Sequence, residues 1–178
     1  MLTAVKNDLA PNLLILNYGP NWTVLNLFLV PSLFFTASVL EQRKPLSPLA
    51  RRAGWIGCNI VLDNVPEDGK IPLVRNASVI SPHEVRENYQ KLQELRSLDW
   101  GLRGWTLDVL RIARKIGTDE FTLDQLYRYE SELLQLHPNN KNVRPKIRQQ
   151  LQVLRDLKLL DFIGSGRYRL RLHQPSST

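Results

Sequence analysis

Cysteine is almost absent from this chain: one residue, Cys58, stands among 178. It excludes an internal disulfide and any zinc site built from several thiolates, so the fold must rest on an apolar core, in no particular redox compartment. Histidine is nearly as scarce. His83, His137 and His173 share no ligand spacing, and each lies near a proline or the C-terminus, which argues against metal or triad chemistry. No Gly-rich phosphate loop is present. Asp68-Gly69-Lys70 has the carboxylate-x-Lys look of a metal-dependent nuclease. It sits in a Pro-Glu-Asp-Gly turn, however, and Asp63 is too close in sequence to serve as a separate metal carboxylate. Long hydrophobic runs are missing too: Leu27 to Leu40, the most apolar stretch, is about 14 residues with Pro31 inside it, whereas a bilayer crossing takes roughly 20. It reads as buried core. The N-terminus, Met1 to Leu16, makes a poor signal peptide, which points to a cytoplasmic, non-membrane protein whose Asn-x-Ser/Thr matches at Asn21 and Asn76 are chance.

What is present is a globular composition, 43% hydrophobic, long enough for one medium domain or two small ones. The net charge of +7 favours anionic partners. Its distribution says more: Met1 to Asp99 carries ten basic and nine acidic residues, and Trp100 to Thr178 carries fourteen and eight. The basicity belongs to the C-terminal part.

Leu13–Asn17 and Leu25–Val30 are short apolar runs that read as two buried strands joined by a turn at Gly19-Pro20. From Gln42 to Asn59 the chain is rich in Arg, Lys, Pro and Gly, which suits an ordered surface loop rather than a helix or strand. Ile71 to Ile80 reads as a strand or short hairpin. Ser81 to Leu98 has helical spacing through Val85, Tyr89, Leu92 and Leu95, and leads to an expected hinge at Gly101–Gly104. Beyond it three helices are expected. The first runs from about Thr106 to Ile116 and stops at Gly117. The second opens with a capping box, Thr122 with Gln125. The third is capped by Asn142, tolerates Pro145 in its first turn, and turns Ile147, Leu151 and Leu154 inward. Leu160–Ile163 and Arg167–Leu172, around Gly164-Ser165-Gly166, complete a hairpin. Three helices and a hairpin make a winged helix-turn-helix.

The third helix is the candidate recognition helix. Its outward face offers Lys141, Gln149 and Gln152, with Arg144, Arg148 and Arg155 at the margins. Gln pairs bidentately with adenine and Arg with guanine in the major groove, while marginal arginines suit phosphates. A merely solvated helix face reads much the same way. In the hairpin, a period of two puts Arg167, Arg169 and Arg171 on one face, opposite Tyr168, Leu170 and Leu172. Such a row of like charge is costly without an anion and suits a DNA-contacting wing, although basic residues also protect sheet edges. Trp55, just after Arg51 and Arg52, is either a core tryptophan or an aromatic that presses on a base while the arginines hold phosphates.

The run QRKPLSPLARRAGWIGCNI from Gln42, with RGWTLDVL from Arg103, EFTLDQLYRYES from Glu120, KIRQQLQVLRD from Lys146 and the wing at Gly164 to Leu170, closely resembles the DpnI-like, Dam-replacing family. The resemblance covers nearly the whole chain. It implies a type IIM restriction endonuclease cutting GATC when its adenine is N6-methylated. In that family a PD-(D/E)XK nuclease domain and a winged-helix domain each recognise the methylated site. By the same resemblance Trp55 matches the tryptophan that contacts the methylated adenines, with Arg51 and Arg52 in its loop.

The family's metal carboxylates, its lysine and a cysteine-rich zinc site match nothing from Met1 onward. Magnesium is therefore implied for cleavage by the family but by no residue of this chain. The expectation is an α+β protein, with a C-terminal remnant of the nuclease-like domain over 1–99 and a winged-helix domain over 100–178. It is expected to act as a monomer, binding methylated double-stranded DNA without cutting it alone. Two alternatives stay open: an active endonuclease whose missing part is encoded upstream or supplied in trans, and a winged-helix regulator indifferent to methylation. A sheet so shortened is expected to expose apolar surface between Leu13 and Val30.

Overall fold

The computed structural model describes residues 9–171, a mixed α and β fold. The first hairpin forms where the apolar runs lie, as β1 (Leu13–Tyr18) and β2 (Val24–Val30), closed by a bond from the Gly19 amide to the Thr23 carbonyl at 2.8 Å. After β2 the chain dives inward, and Leu33, Phe34, Phe35 and Val39 are buried, which makes the apolar stretch core. It returns as a two-stranded ribbon, β3 (Leu40–Gln42) with β4 (Cys58–Ile60). The hairpin β5 (Ile71–Arg75) and β6 (Ser78–Val79) completes a four-stranded sheet in the order β1-β2-β5-β6.

β1 is an edge strand whose residues alternate. Leu13 and Ile15 pack toward the core, while Leu14, Leu16 and Tyr18 are exposed, as is Trp22 in the following turn. Of the apolar surface expected between Leu13 and Val30, the part on β1 and the turn is exposed among the described residues, whereas β2 is half-buried to buried.

Two expectations fail in the middle of the chain. The continuous helix over 81–98 ends early: α1 (Pro82–Lys91), capped by Ser81 Oγ accepting from the Glu84 amide at 3.2 Å, gives way to a 3-10 turn over Gln93–Ser97. Bonds of i to i+3 type link Tyr89, Leu92, Leu95 and Leu98. That geometry eclipses every third residue, so the leucines share one face and Leu92 and Leu95 are fully buried. The hinge at Gly101–Gly104 is likewise absent, because both glycines lie inside α2 (Trp100–Lys115). Asp99 caps this helix through a bond to the Leu102 amide at 2.9 Å. Two helical glycines cost roughly 1 kcal/mol each, and burial outweighs that, since every residue from Arg103 to Leu110 is buried. Gly117 stops the helix as expected, with φ at +81°, a left-handed conformation that only glycine adopts without strain.

The remainder is a winged helix: β7 (Glu120–Thr122), α3 (Leu123–Tyr127), α4 (Glu130–Leu136), α5 (Val143–Asp156), β8 (Leu160–Gly164) and β9 (Arg167–Leu170), with strand order β7-β9-β8. The capping box forms, Thr122 Oγ1 accepting from the Gln125 amide and Gln125 Oε1 from the Thr122 amide at 2.7 Å. The expected second helix nevertheless breaks between α3 and α4, at Tyr129, whose φ of −97° and ψ of 12° are not helical. One apolar core joins both parts of the chain: Val30, Phe34 and Ile71 belong to the same cluster as Leu126, Ile147, Leu151 and Leu154.

The carboxylate of the Asp68-Gly69-Lys70 turn is taken up within the fold. Asp68 is buried, and Arg114 of α2 grips its carboxylate twice, Nε to Oδ2 at 2.9 Å and Nη2 to Oδ1 at 2.5 Å. The Asp68→Ala variant is expected to lose about 3–5 kcal/mol in urea unfolding, because it leaves a largely buried guanidinium without its counter-charge. Loss of the Thr122 cap in Thr122→Ala should cost only about 1 kcal/mol in the same measurement.

Candidate nucleic-acid interface

The segment from Gln42 to Asn59 is, over residues 43–57, the expected ordered surface loop, carried on the ends of the β3–β4 ribbon, which takes in Gln42, Cys58 and Asn59. The Arg43 amide bonds the Gly57 carbonyl at 3.0 Å, the Leu46 amide the Trp55 carbonyl at 2.9 Å, and the Gly54 amide the Leu46 carbonyl at 3.2 Å. Main-chain pairing thus holds the side chains at fixed positions along an arm that projects from the core. Trp55 is not a core tryptophan: it lies on the surface, with 53% of the residue accessible. Gly57 makes room for the ring. A Cβ at that position would stand 2.9 Å from the indole, so a side chain there pushes the tryptophan off its seat. Arg51 and Arg52 are exposed beside it, as are Arg43 and Lys44, and among the described residues none of the four has a side-chain hydrogen bond or ion pair. Leu49, at the tip, is 97% accessible. The arm combines unneutralised cations with bare apolar groups, a pairing that suits a charged partner with apolar faces between its charges, such as stacked bases between phosphates.

Helix α5 presents its expected outer face except for Lys141, which is exposed but stands in the bend before the helix, whose first residue is Val143. Arg144, Arg148, Gln149 and Gln152 are exposed along it, while Ile147, Leu151 and Leu154 are buried beneath them. A buried bond, Thr106 Oγ1 to Gln150 Oε1 at 2.7 Å, fixes α5 against α2. Asn142 occupies the cap position, but its side chain does not cap, because its φ of −125° and ψ of 58° depart from the extended backbone a cap requires. Its amide is held instead by Asn140 Oδ1 at 2.7 Å. The cations of this face are partly occupied. Arg144 bonds Glu130 at 2.7 Å and lies over the Tyr127 ring, and Arg148 donates to the Tyr127 hydroxyl at 2.8 Å. Lys146 donates to Gln149 Oε1 at 2.9 Å. Arg155 is tied to Asp156 and covers Phe162 of β8, which directs it to the wing.

The wing follows its period of two. Tyr168 and Leu170 are buried, Tyr168 stacked on Phe121 at 5.4 Å and edge-on to Phe162 at 4.9 Å, while Arg167, Arg169 and Arg171 stand outward. Leu172 and His173 lie outside the described residues. The row of arginines does not go uncompensated, contrary to the expectation that it needs an external anion. Glu120 of β7 pairs with Arg167 at 3.3 Å and Arg169 at 2.7 Å, and Asp161 of β8 pairs with Arg171 at 2.7 Å. Both carboxyls are held below their usual range, chiefly by the hydrogen bonds from Arg169 and Arg171. Sequence reasoning missed these two acids because they become neighbours only through pairing with β9, and it missed Gly57 because nothing local marks it as a seat for the ring.

His137 and Asp108 come together, unmarked by their spacing. His137 Nε2 lies 2.8 Å from Asp108 Oδ2 and its ring stacks on Trp105 at 3.8 Å, while Ser38 donates to Asp108 Oδ1 at 2.7 Å. This cluster joins three segments around a buried carboxylate. Among the described residues no three His, Cys, Asp or Glu side chains lie close enough together to hold a metal ion, and no helix is long and apolar enough to cross a membrane.

The two tryptophans make opposite contributions to stability. Trp55→Ala should leave the melting temperature within about 1 °C, since an exposed ring adds little to the core, whereas Trp105→Ala, emptying a buried site, should cost about 3–5 kcal/mol in thermal or denaturant unfolding.

Protein-family models match two adjoining stretches of the chain: residues 1–98 match the DpnI, Dam-replacing family, and residues 101–170 match the Dam-replacing HTH domain. The second match falls on the winged helix just described, and the first, more than half the chain, takes in the sheet and the basic arm. The chain therefore belongs to the Dam-replacing family, and its winged helix is that family's helix-turn-helix domain.

Proposed function

We propose that this chain binds double-stranded DNA at adenine-methylated GATC, as the DNA-reading portion of a DpnI-like restriction endonuclease, one chain to a site. The observation that carries the proposal is Trp55: an exposed ring on a pre-ordered basic arm, flanked by Arg51 and Arg52. A two-stranded ribbon fits the major groove, where the N6 group of adenine lies. There an apolar ring gains contact area only when a methyl group is present. Two methyl groups brought against the ring contribute about 1.5 kcal/mol, roughly a tenfold preference, at the usual value for a buried methylene. Arg51 and Arg52 serve as phosphate contacts that set the register of the arm without reading sequence.

The winged helix supplies the second reader. Gln149 and Gln152 face adenine edges, Lys141, Arg144 and Arg148 hold the flanking phosphates, and Arg167 and Arg169 follow the backbone from the wing. Cleavage in this family implies a PD-(D/E)XK site with magnesium. The described residues do not fit such a site: Asp68, the buried carboxylate of the sequence resembling that motif, is committed to Arg114, and no metal-holding group lies around it. No reaction step is therefore assigned to this chain.

A titration of the full chain against one duplex carrying GATC in methylated or plain form, with Mg²⁺ present, tests the reading. Expected is a roughly tenfold preference for the methylated duplex, lost in Trp55→Ala and weakened in Gly57→Ala without loss of the fold. Equal affinity for the two duplexes sinks the methyl-reading role, and cleavage overturns the account of the metal site.

A further inference from the structure

The carboxylates that neutralise the wing have no evident structural need to be there. Stability of the hairpin comes from its buried side, where Tyr168 packs between Phe121 and Phe162. Ion pairs on the exposed side are worth little in water. The arrangement is nevertheless specific. β9 is the central strand, and both Glu120 on β7 and Asp161 on β8 stand opposite Arg169 in register. One carboxylate, Glu120, lies between two guanidinium groups, those of Arg167 and Arg169, which belong to alternate residues of one strand. A phosphate received by the wing would be held in the same way, by two arginines that share one anion.

We propose that Glu120 is a specificity-determining residue: it stands in for a DNA phosphate in the free protein, holding Arg167 and Arg169 extended and closing them to weak, non-matching DNA. The inference rests on the DNA-binding reading above. Its physical content is an exchange. For the wing to engage a backbone phosphate, Arg167 and Arg169 must give up Glu120, so the wing gains little from a duplex held only by charge. When the recognition helix and the arm have docked a matching site, the phosphate is placed at high local concentration and displaces the carboxylate. Glu120 thereby subtracts more from non-specific than from specific affinity. Its ionised state is secured by the Arg169 hydrogen bond, which holds its carboxyl below the ordinary range.

The test compares wild type, Glu120→Gln and, as a control with the same change of charge, Glu94→Gln, an exposed residue of the 3-10 turn. Each is titrated against methylated GATC and a duplex lacking GATC, over a series of salt concentrations. Melting temperatures confirm that all three are folded. Glu120→Gln is expected to bind the duplex without GATC about fivefold more tightly than wild type, with a smaller gain on the methylated site, so that discrimination falls. The gain should vanish when Arg167→Gln and Arg169→Gln are combined with it, because the effect passes through those two arginines. Equal shifts in Glu120→Gln and Glu94→Gln, or a gain that persists without Arg167 and Arg169, overturn the proposal and leave DNA binding itself intact. If neither wild type nor Glu120→Gln binds any duplex, the DNA-binding reading falls and the inference falls with it.

Discussion

Arg114 ties together parts of the chain that are far apart in sequence. Its guanidinium grips the buried Asp68 through both oxygens and also donates to the Arg171 carbonyl at 2.9 Å. The turn before β5, the end of α2 and the end of β9 therefore share one side chain. A carboxylate this deep is tolerable only with its counter-charge in place, so the pair commits these three segments to a single arrangement. The four-stranded sheet, through the turn before β5, and the helical part that bears the wing are thereby set on one frame, and α2 is buried along most of its length.

The distribution of charge changes meaning once the pairs are known. By composition the C-terminal part holds nearly all the excess of basic residues. In the fold, many of those cations already face carboxylates: Arg111 and Lys115 share Glu132, Arg144 meets Glu130, and the wing arginines meet Glu120 and Asp161. The arm, in the part that is nearly neutral overall, carries cations with no such neighbours. Net charge announces an anionic partner, but the pairing decides where that partner meets an open field first.

The hairpins, the capping box at Thr122, the helix stop at Gly117 and the inward faces of α5 and β9 were legible because each depends on residues within a few positions of one another. The resemblance carried by QRKPLSPLARRAGWIGCNI was legible for a different reason, being a specific run of residues. The errors share a cause. Gly101 and Gly104 mark a hinge by local preference, and tertiary burial of α2 overrides it; the leucines after Lys91 keep a helical spacing that a 3-10 turn satisfies equally well.

At the interface the division is sharper. The sequence by itself determined which residues are candidates for contact with DNA: glutamines and arginines on one helical face, arginines on alternate positions of one strand, and a tryptophan beside two arginines. These follow from the periods of helix and strand, which any local segment displays. Only the tertiary structure decided which of them stand free. Trp55 is exposed because the ribbon carries it away from the core and Gly57 leaves room for its ring, and Arg167 and Arg169 are occupied because strand pairing brings Glu120 beside them from 47 and 49 residues away. Exposure and ion pairing are relations between distant parts of the chain, and no local pattern encodes them.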